Sequence, residues 1–274
     1  MKVRTYMCFP DFKEKAVTFS YDDGVIYDKR LIEIFTENKL KGTFNVNSGF
    51  FGTHRRLNRE DAVELYTRSG MEVAVHGVKH LSLANVDIAA ATNDVIQDRK
   101  ELESAFGCII KGMAYANGSY DDCVIEMLKN CGINYSRTAA QSGSLDLPTN
   151  WHAWTGTCHH DNPNLMDYAK QLVEYKHADY FWAYRPKLLY VWGHSYEFND
   201  KGNWNVIEDF AKFIGGREDI WYATNGEIYD YVTAFDNLEW SVDCSLVKNN
   251  SAIDVFINYL GKKCVVKAGQ TAKI

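Results

Sequence analysis

Two acidic residues, Asp22 and Asp23, stand side by side directly after a short apolar run. Neighbouring carboxylates repel each other when both are ionised, and a bound cation removes that cost. His76 and His80 follow at an i, i+4 spacing, which we expect to place both imidazoles on one side of a helical turn. One carboxylate and two imidazoles leave coordination positions open for water and substrate. The pattern predicts a metal site formed by Asp23, His76 and His80, with Asp22 beside it as a general base.

A third histidine, His194, supplies the other half of the predicted acid–base chemistry. A metal ion polarises a carbonyl and lowers the pKa of bound water, and Asp22 is then free to accept the proton of that water. His194 comes directly after a strongly apolar run at 187–192, and it is placed to return a proton to a leaving group. The predicted reaction class is metal-dependent hydrolysis.

Short apolar runs alternate with amphipathic segments, and these elements must position the reactive residues. The runs predict strands at 16–21, 43–47, 72–75, 112–116, 134–138, 151–157, 187–192 and 220–224. The intervening segments predict helices at 28–39, from Asn58 onwards, and at 87–106, 120–130, 164–175, 204–214 and 226–235. About eight β/α steps suit a parallel α/β barrel, whose active face is formed by the carboxyl ends of the strands. Residues that are distant in sequence are therefore expected to meet at one mouth.

The last part of the chain breaks this alternation. Short strands are predicted at 252–259 and 263–267, with a turn at 260–262 between them. We expect residues 1–237 to form the barrel and residues 238–274 to form a small β appendage packed on it.

Composition narrows the classes of function. Hydrophobic residues make up 46% of the chain and charged residues 24%, as in soluble globular proteins. The net charge of −6 and the lack of a long Lys/Arg run argue against nucleic-acid binding. No apolar run is long enough to span a membrane, and the first residues lack a signal-peptide pattern. Seven scattered cysteines without a C-x-x-C pair indicate reduced thiols, so a cytoplasmic location is expected.

The motifs around these residues resemble those of the polysaccharide deacetylases, which form carbohydrate esterase family four and share the NodB-homology fold. Residues 18–24 are similar to the T-F-D-D-G motif, and residues 76–80 to the H-[ST]-x-x-H motif, with Gly77 in place of the hydroxyl residue. Residues 189–194 are similar to the motif that carries the catalytic-acid histidine. The resemblance covers about residues 15–230 and implies a distorted β/α barrel with seven or eight strands.

The resemblance also implies roles and a reaction. Asp22 is the implied base, His194 the implied acid, and Asp23, His76 and His80 are the implied metal ligands. The implied reaction removes an N-acetyl group from an amino sugar, or from an oligosaccharide or polysaccharide, by means of metal-bound water. Zinc is the usual implied ion and cobalt or nickel can serve related sites, while a set of two histidines and one carboxylate does not exclude iron or manganese.

The third family motif departs most in this chain. The family pattern R-x-P-[FY]-G corresponds to a stretch in which Ala114 replaces the arginine and Ala116 the proline. The backbone N–H of Asn117 still suits an oxyanion hole, because that role needs no particular side chain. We hypothesise that Arg137, at the end of the following strand, replaces the missing arginine beside Asp22.

A carbohydrate substrate requires polar and aromatic contacts around the barrel mouth. The residues assigned to substrate binding are Asn47, Tyr115, Trp154 and Trp192. A wider aromatic set could contribute to a sugar platform, although half or more of these rings are expected to pack in the core; it comprises Phe50, Phe51, Trp151 and Tyr196.

Two other functions are compatible with the sequence. A cyclic amide or imide hydrolase can share this fold, since fold does not fix the substrate. Relatives of that kind tend to lack the first-motif base, so Asp22 favours deacetylation. A non-catalytic carbohydrate-binding relative is supported by the altered third motif, while the complete set of acidic residues and histidines argues against it.

Overall fold

A curved sheet of parallel strands forms the centre of the protein in a computed structural model that describes residues 4–176 and 185–274. A short strand, β1 (Met7–Cys8), precedes the sheet. Nine strands follow in the sheet: β2 (Lys15–Asp22), β3 (Thr43–Val46), β4 (Glu72–Val75), β5 (Gly112–Ala114), β6 (Tyr135–Gln141), β7 (Trp154–Gly156), β8 (Cys158–His159), β9 (Lys187–Gly193) and β10 (Ile220–Tyr222). Their order is β7-β6-β5-β4-β3-β2-β9-β8, and β10 pairs with the first part of β2.

The sheet curls back on itself. Strands β7 and β8 are the two ends of the pairing path, yet only Thr157 separates them in the chain. Strand β7 pairs with β6 and β8 pairs with β9, and the Thr157 N–H donates to the Tyr190 carbonyl at 2.8 Å. The segment from β7 to β8 therefore runs from one edge of the sheet to the other, although β7 and β8 do not pair with each other. The predicted α/β fold with a parallel sheet and the resemblance to the deacetylase fold are confirmed.

Eight helices in the described residues connect or cover the strands. They are α1 (Asp28–Glu37), α2 (Arg59–Ser69), α3 (Ile88–Phe106), α4 (Asp122–Asn130), α5 (Leu165–Glu174), α6 (Ser195–Lys201), α7 (Asn205–Ile214) and α8 (Asn225–Asp236). The helix predicted from Asn58 onwards is α2, and Asn58 is its N-cap, because its side chain accepts the Asp61 N–H at 2.7 Å. Gly107 ends α3 with a left-handed φ of 63°, a conformation that glycine adopts without a Cβ penalty.

Two clusters of apolar side chains form the core. The larger cluster fills the space between the sheet and helices α1 to α7, and it includes Phe19, Phe44 and Phe210. The second joins the barrel to the C-terminal strands, with Tyr190 and Ile257 among its members.

The C-terminal segment forms two small antiparallel sheets. Its strands are β11 (Glu239–Trp240), β12 (Leu246–Lys248), β13 (Val255–Tyr259), β14 (Lys262–Val266) and β15 (Thr271–Lys273). Strands β13 and β14 form the predicted hairpin, and β1 from the beginning of the chain pairs with β13. One small sheet thus takes a strand from the N-terminal segment, and the domain boundary at 237/238 stays a prediction.

Two further expectations concern the chain as a whole. None of the seven cysteines, all of which are described, forms a disulfide. Within residues 4–176 and 185–274, no helix is both long and apolar enough to cross a bilayer.

Candidate active site

Residues from the ends of three strands and from within a fourth meet at the carboxyl edge of the sheet. Asp22 is the last residue of β2, with Asp23 next to it, and His76 directly follows β4. Arg137 lies within β6, and His194 directly follows β9. Because every strand pair in this sheet is parallel, these ends share one edge, and the side chains come within contact distance of one another.

Asp23, His76 and His80 form a group in which one ligand atom of each lies within 4.8 Å of the others. The Nε2 atoms of both histidines are 3.8 Å from Asp23 Oδ1. His76 Nε2 and Asp23 Oδ1 are buried and have no hydrogen-bond partner. Buried polar atoms normally have a partner, so these two atoms fit the ligand positions of a cation. These residues therefore match the chemistry expected of a divalent metal site.

The His76 ring is held in the form that can bind a metal. Its Nδ1 lies 2.9 Å from the Ala114 carbonyl oxygen, which accepts a proton carried on Nδ1. The lone pair of Nε2 then points toward Asp23. Burial lowers the pKa of His76, which favours the neutral ring that ligation requires.

The predicted helical turn between His76 and His80 is wrong. The segment between them is a loop, in which Gly77 has a φ of 83° and His80 a φ of 54°. A Cβ at residue 77 would overlap the Asp94 carboxylate, so a glycine fits where the family pattern has Ser or Thr. The two imidazoles are brought together by left-handed backbone positions and not by helical periodicity.

Helix α3 and the end of β3 brace this loop. The Asp98 carboxylate accepts the N–H groups of His76 at 3.0 Å and of Gly77 at 2.8 Å, together with the N–H and hydroxyl of Ser48. The Asn47 side chain donates to the carbonyls of His76 at 2.8 Å and Gly77 at 2.7 Å. The assignment of Asn47 to substrate binding is therefore corrected: its amide N–H groups are used by the loop, and the residue is 1% exposed.

Asp22 lies in a buried network of positive and polar groups. Its Oδ1 accepts the Asn45 amide at 2.8 Å, and its Oδ2 accepts a short hydrogen bond from Arg137. The same oxygen lies 3.9 Å from His76 Nε2 and 3.8 Å from His194 Nε2. Burial acts to raise the pKa of Asp22, but the charge of Arg137 and the two histidines lower it to about 2.

Arg137 reaches Asp22 from β6, two strands beyond β4 in the sheet order. Its guanidinium also lies 4.6 Å from the centre of the Trp192 ring, in a cation–π arrangement. Arg137 is 1% exposed, so its charge is compensated within the site. The structure places Arg137 where the hypothesis requires a partner for Asp22.

His194 is a half-exposed ring between two carboxylates. Its Nδ1 lies 3.5 Å from Glu197 Oε2, and the same oxygen accepts the His194 backbone N–H at 3.3 Å. Burial alone would lower the pKa of His194, but the Glu197 and Asp22 carboxylates outweigh it and raise the pKa. The ring therefore favours the protonated form, which suits a general acid.

Asp23 is held in a strained backbone conformation with a φ of 88°. Arg56 donates to the Asp23 backbone carbonyl at 2.9 Å, and it lies 3.2 Å from the carboxylate oxygen Oδ2. The other oxygen, Oδ1, is left facing the histidines. A cleft of about 250 Å³ opens beside Asp23, lined also by Arg55 and Tyr196.

Comparison with known proteins agrees with this geometry. Residues 10–136 match the family model described as polysaccharide deacetylase. A comparison with curated proteins gives no match. A proposed polysaccharide deacetylase from Mycobacterium smegmatis is similar in structure, with a TM-score of 0.61 and 18% identity over 84% of this chain and 94% of that one. This is the fold of the polysaccharide deacetylases.

Two further solved structures share the deacetylase fold. A family 4 carbohydrate esterase from Streptomyces lividans, in complex with acetate, has a TM-score of 0.53 and 14% identity over 77% of this chain and 93% of that one. A pseudoenzyme of the same family from Bacillus anthracis has a TM-score of 0.51 and 14% identity over 82% of this chain and 68% of that one. For two other matching structures, the aligned region covers only 44% of the matched protein. Since one of these relatives is a pseudoenzyme, the deacetylase fold by itself does not establish activity.

Two aromatic residues assigned to substrate binding lie away from the candidate active site. Trp154 is 1% exposed and packs edge-on against Tyr135 and Tyr190 in the second core cluster, so its assignment is corrected to a core role. Tyr115 is buried, and its hydroxyl donates to the His152 carbonyl at 2.7 Å, so its assignment is corrected as well. Aromatic type alone does not distinguish a sugar platform from a core.

The other two assigned residues lie closer to the chemistry. Trp192 covers the Arg137 guanidinium and is 8% exposed. Asn117 lies at the rim with a φ of 57°, and its side chain donates to the Ser82 hydroxyl at 3.0 Å. Its backbone position at the end of β5 remains the proposed oxyanion donor.

Several residues of the site were not predicted. Arg56, Asp98 and Glu197 each bond to a predicted residue, but nothing in their sequence context marks them as functional. The run His159-His160-Asp161 begins at the last residue of β8 and carries three potential metal ligands. Its density of such residues is a signal that could have been used.

Proposed function

We propose that this chain is a metal-dependent N-deacetylase that acts on an N-acetylated amino sugar, alone or within an oligosaccharide or polysaccharide. The observation that carries the proposal is the position of Asp22. Its carboxylate lies between the Arg137 guanidinium and the group formed by Asp23, His76 and His80. A base beside a metal site, with His194 across from it, is the arrangement that amide hydrolysis requires.

Asp23, His76 and His80 would hold the metal ion. Two imidazoles and one carboxylate suit zinc, and they also accept cobalt, nickel, iron or manganese. A divalent cation in this position polarises the acetyl carbonyl and increases the acidity of a water molecule. Asp98 and Asn47 keep the two ligand-bearing backbone segments in place through their bonds to the loop.

Asp22 would accept the proton of the attacking water. Its pKa of about 2 keeps the carboxylate ionised at all ordinary pH values, so the base is always available. Arg137 and Asn45 each occupy one oxygen and fix the orientation of the carboxylate. The site therefore has a base that is oriented by two hydrogen bonds and is intrinsically weak.

His194 would donate a proton to the amine that leaves. Glu197 lies on the far side of the ring and favours its protonated form, while Nε2 faces Asp22. Asp22 Oδ2 and His194 Nε2 lie 3.8 Å apart. The two residues can therefore act on the same amide, Asp22 on the attacking water and His194 on the leaving nitrogen. The backbone N–H of Asn117 would donate to the developing oxyanion.

The direct test is acetate release from N-acetylated amino sugars and their oligomers, measured with and without a chelator. We expect release that is abolished by the chelator and restored by Zn²⁺ or Co²⁺. Cyclic imides are tested in parallel as the competing substrate class. Ring opening of imides without any acetate release would contradict the proposal, and sugar binding without either reaction would favour a non-catalytic relative.

A further inference from the structure

A second group of histidine and acidic side chains lies beside the proposed active site. It is formed by His159, His160, Asp161 and Glu197, and one ligand atom of each lies within 4.8 Å of the others. The proposed deacetylation uses Glu197 through His194 and gives no role to His160 or Asp161. Because the group is distinct from Asp23, His76 and His80, it requires an explanation of its own.

His160 is the residue that points to a missing ligand. It is 1% exposed, and its ring is stacked between Phe198, at 4.1 Å, and Tyr21, at 5.7 Å. Neither buried ring nitrogen makes a well-aligned hydrogen bond within the described residues, although Nε2 lies 3.1 Å from the Glu197 carboxylate. A buried imidazole without aligned hydrogen bonds is unfavourable, and a cation between Nε2 and the neighbouring carboxylates would satisfy both groups.

The ring is also fixed in its position. A Cβ at Gly193 would overlap the His160 ring, so the glycine at the end of β9 makes room for it. The fixed ring directs Nε2 toward two carboxylates, with Glu197 Oε2 at 3.1 Å and Asp161 Oδ1 at 3.5 Å. Ligands bound to zinc at about 2.0–2.2 Å in a tetrahedron are about 3.3–3.5 Å apart. The donor spacings observed here are therefore close to those around one small cation.

His159 is placed to donate a hydrogen bond to Glu197 and is not part of the proposed ligand set. The Asp161 backbone N–H donates to His159 Nδ1 at 3.2 Å, which places the ring proton on Nε2. That Nε2 lies 3.0 Å from Glu197 Oε2 and can donate to it. His159 is thus a positioning residue that orients Glu197, and the ligand set is His160, Asp161 and Glu197.

Lys201 occupies the open side of the group. Its ammonium forms a close ion pair with Asp161, and its side chain is 48% exposed. The same ammonium lies 4.0 Å from Glu197 Oε1, so a positive charge already faces both carboxylates. A lysine that is half exposed can also move into solvent when a stronger cation competes.

We propose that His160, Asp161 and Glu197 form a second binding site for a divalent transition-metal ion of the zinc class, from which Lys201 is displaced on binding. Glu197 would then connect this ion to His194, on the acid side of the proposed active site. The inference does not rest on the deacetylase function, since it follows from the ligand geometry alone.

The test is Co²⁺ binding to the intact chain, measured by equilibrium dialysis with metal analysis and by visible absorption. We expect the wild-type chain to bind two Co²⁺ ions and the Asp23→Asn variant to keep one. The double variant Asp161→Asn, Glu197→Gln should also keep one ion, but at the other site. These substitutions preserve side-chain shape, and circular dichroism checks that each variant is folded.

The Lys201→Met variant should strengthen binding at the second site, whereas the carboxylate substitutions should abolish it. Removing the competing ammonium should tighten the second Co²⁺ by about two- to fivefold, the equivalent of one exposed ion pair. Lys170→Met is the matched control, because Lys170 forms a similar exposed pair with Asp167 away from both sites and should change nothing. One bound Co²⁺ in the wild-type chain that disappears completely in Asp23→Asn would overturn the proposal. Acetate assays can fail without affecting this count, so the two proposals are tested separately.

Discussion

At the scale of single residues, the identity of the partner of Asp22 decides how the base behaves. The arginine expected in the third family motif is Ala114, and Arg137 from the neighbouring strand reaches the same carboxylate. The charge of Arg137 is the strongest of the influences that lower the pKa of Asp22 against the effect of burial. Its removal should therefore act on the protonation of Asp22 before it acts on anything else.

Substituting Arg137→Gln should raise the pKa of Asp22, because burial then acts without the compensating positive charge. A protonated Asp22 cannot serve as base, so the acid limb of the kcat/KM profile should move up by about one to three pH units. The measurement is acetate release as a function of pH. Arg59→Gln, an exposed arginine on α2, is the control that should leave the profile unchanged. An unchanged profile in Arg137→Gln, with folding intact, would contradict the assigned role.

The residues proposed to bind the metal and carry out the chemistry could be predicted from the sequence better than the residues around them. Residue type and position at strand ends predict Asp23, His76 and His80 as ligands, and the structure brings these three side chains together. Trp154 was misassigned, because a tryptophan in a core and one in a sugar platform have the same sequence signal. Glu197 was missed, because its contact with His194 depends on α6, a helix with no clear amphipathic pattern.

At the scale of elements, α3 controls the shape of the loop that bears two of the proposed ligands. Asp98 accepts hydrogen bonds from both His76 and Gly77, at the point where the chain leaves β4. Sequence periodicity predicted α3 and its end at Gly107 but not which of its side chains would contact the loop. The spacing of His76 and His80 suggested a helical turn, because an i, i+4 spacing carries no information about left-handed residues between the two positions.

Substituting Asp98→Ala should weaken metal binding without removing any ligand. The loop would lose the acceptor of its two N–H groups, so His76 and His80 would be less well positioned. Substituting a residue that positions metal ligands without contacting the ion typically lowers metal affinity by about 10–100-fold. Isothermal titration with Zn²⁺ measures the effect, and Asp87→Ala, at the exposed N-cap of the same helix, is the control. Equal affinities in Asp98→Ala and the wild-type chain would show that the brace is dispensable.

At the scale of the whole molecule, alternating periodicity predicted the parallel α/β fold, but it could not predict how the two edges of the sheet are connected. The connection is the short segment from β7 to β8, in which Thr157 passes the chain from one edge of the sheet to the other. Two- and three-residue strands are too short to leave a pattern. The pairing of β1 with β13 was missed for the same reason, and because it joins the two ends of the chain.

Asp28 links three helices through buried hydrogen bonds and should make stability depend on pH. It begins α1, and it accepts the hydroxyl of Tyr66 from α2 at 2.6 Å and that of Ser195 from α6 at 2.5 Å. Burial raises its pKa from 3.8 to about 7 in the folded chain. The folded state therefore binds a proton more tightly than the unfolded state, so the contribution of Asp28 to stability is present below about pH 4 and is lost as the pH rises toward 7.

This loss should amount to at most about 4 kcal/mol between pH 4 and pH 7. The free energy of unfolding is measured by urea denaturation of the metal-free protein, prepared with a chelator, at several pH values between 4 and 7. The Asp28→Asn variant should show a smaller decline in the free energy of unfolding, because it has no carboxyl group to ionise. His76, whose pKa is lowered by burial, acts in the opposite direction in both proteins and cancels in the comparison. Parallel pH dependences in the two proteins would refute the linkage.

The central claim is that Asp22 acts as a base beside a metal ion held by Asp23, His76 and His80. The most direct test measures acetate release and bound metal on the same samples of wild-type, Asp22→Asn and Asp23→Asn chains. The account predicts that Asp22→Asn keeps its metal but loses activity by about 10²–10⁴-fold, while Asp23→Asn loses the metal of this site and its activity together. Full activity in Asp22→Asn, or an unchanged metal content in Asp23→Asn with the second site disabled, would contradict it.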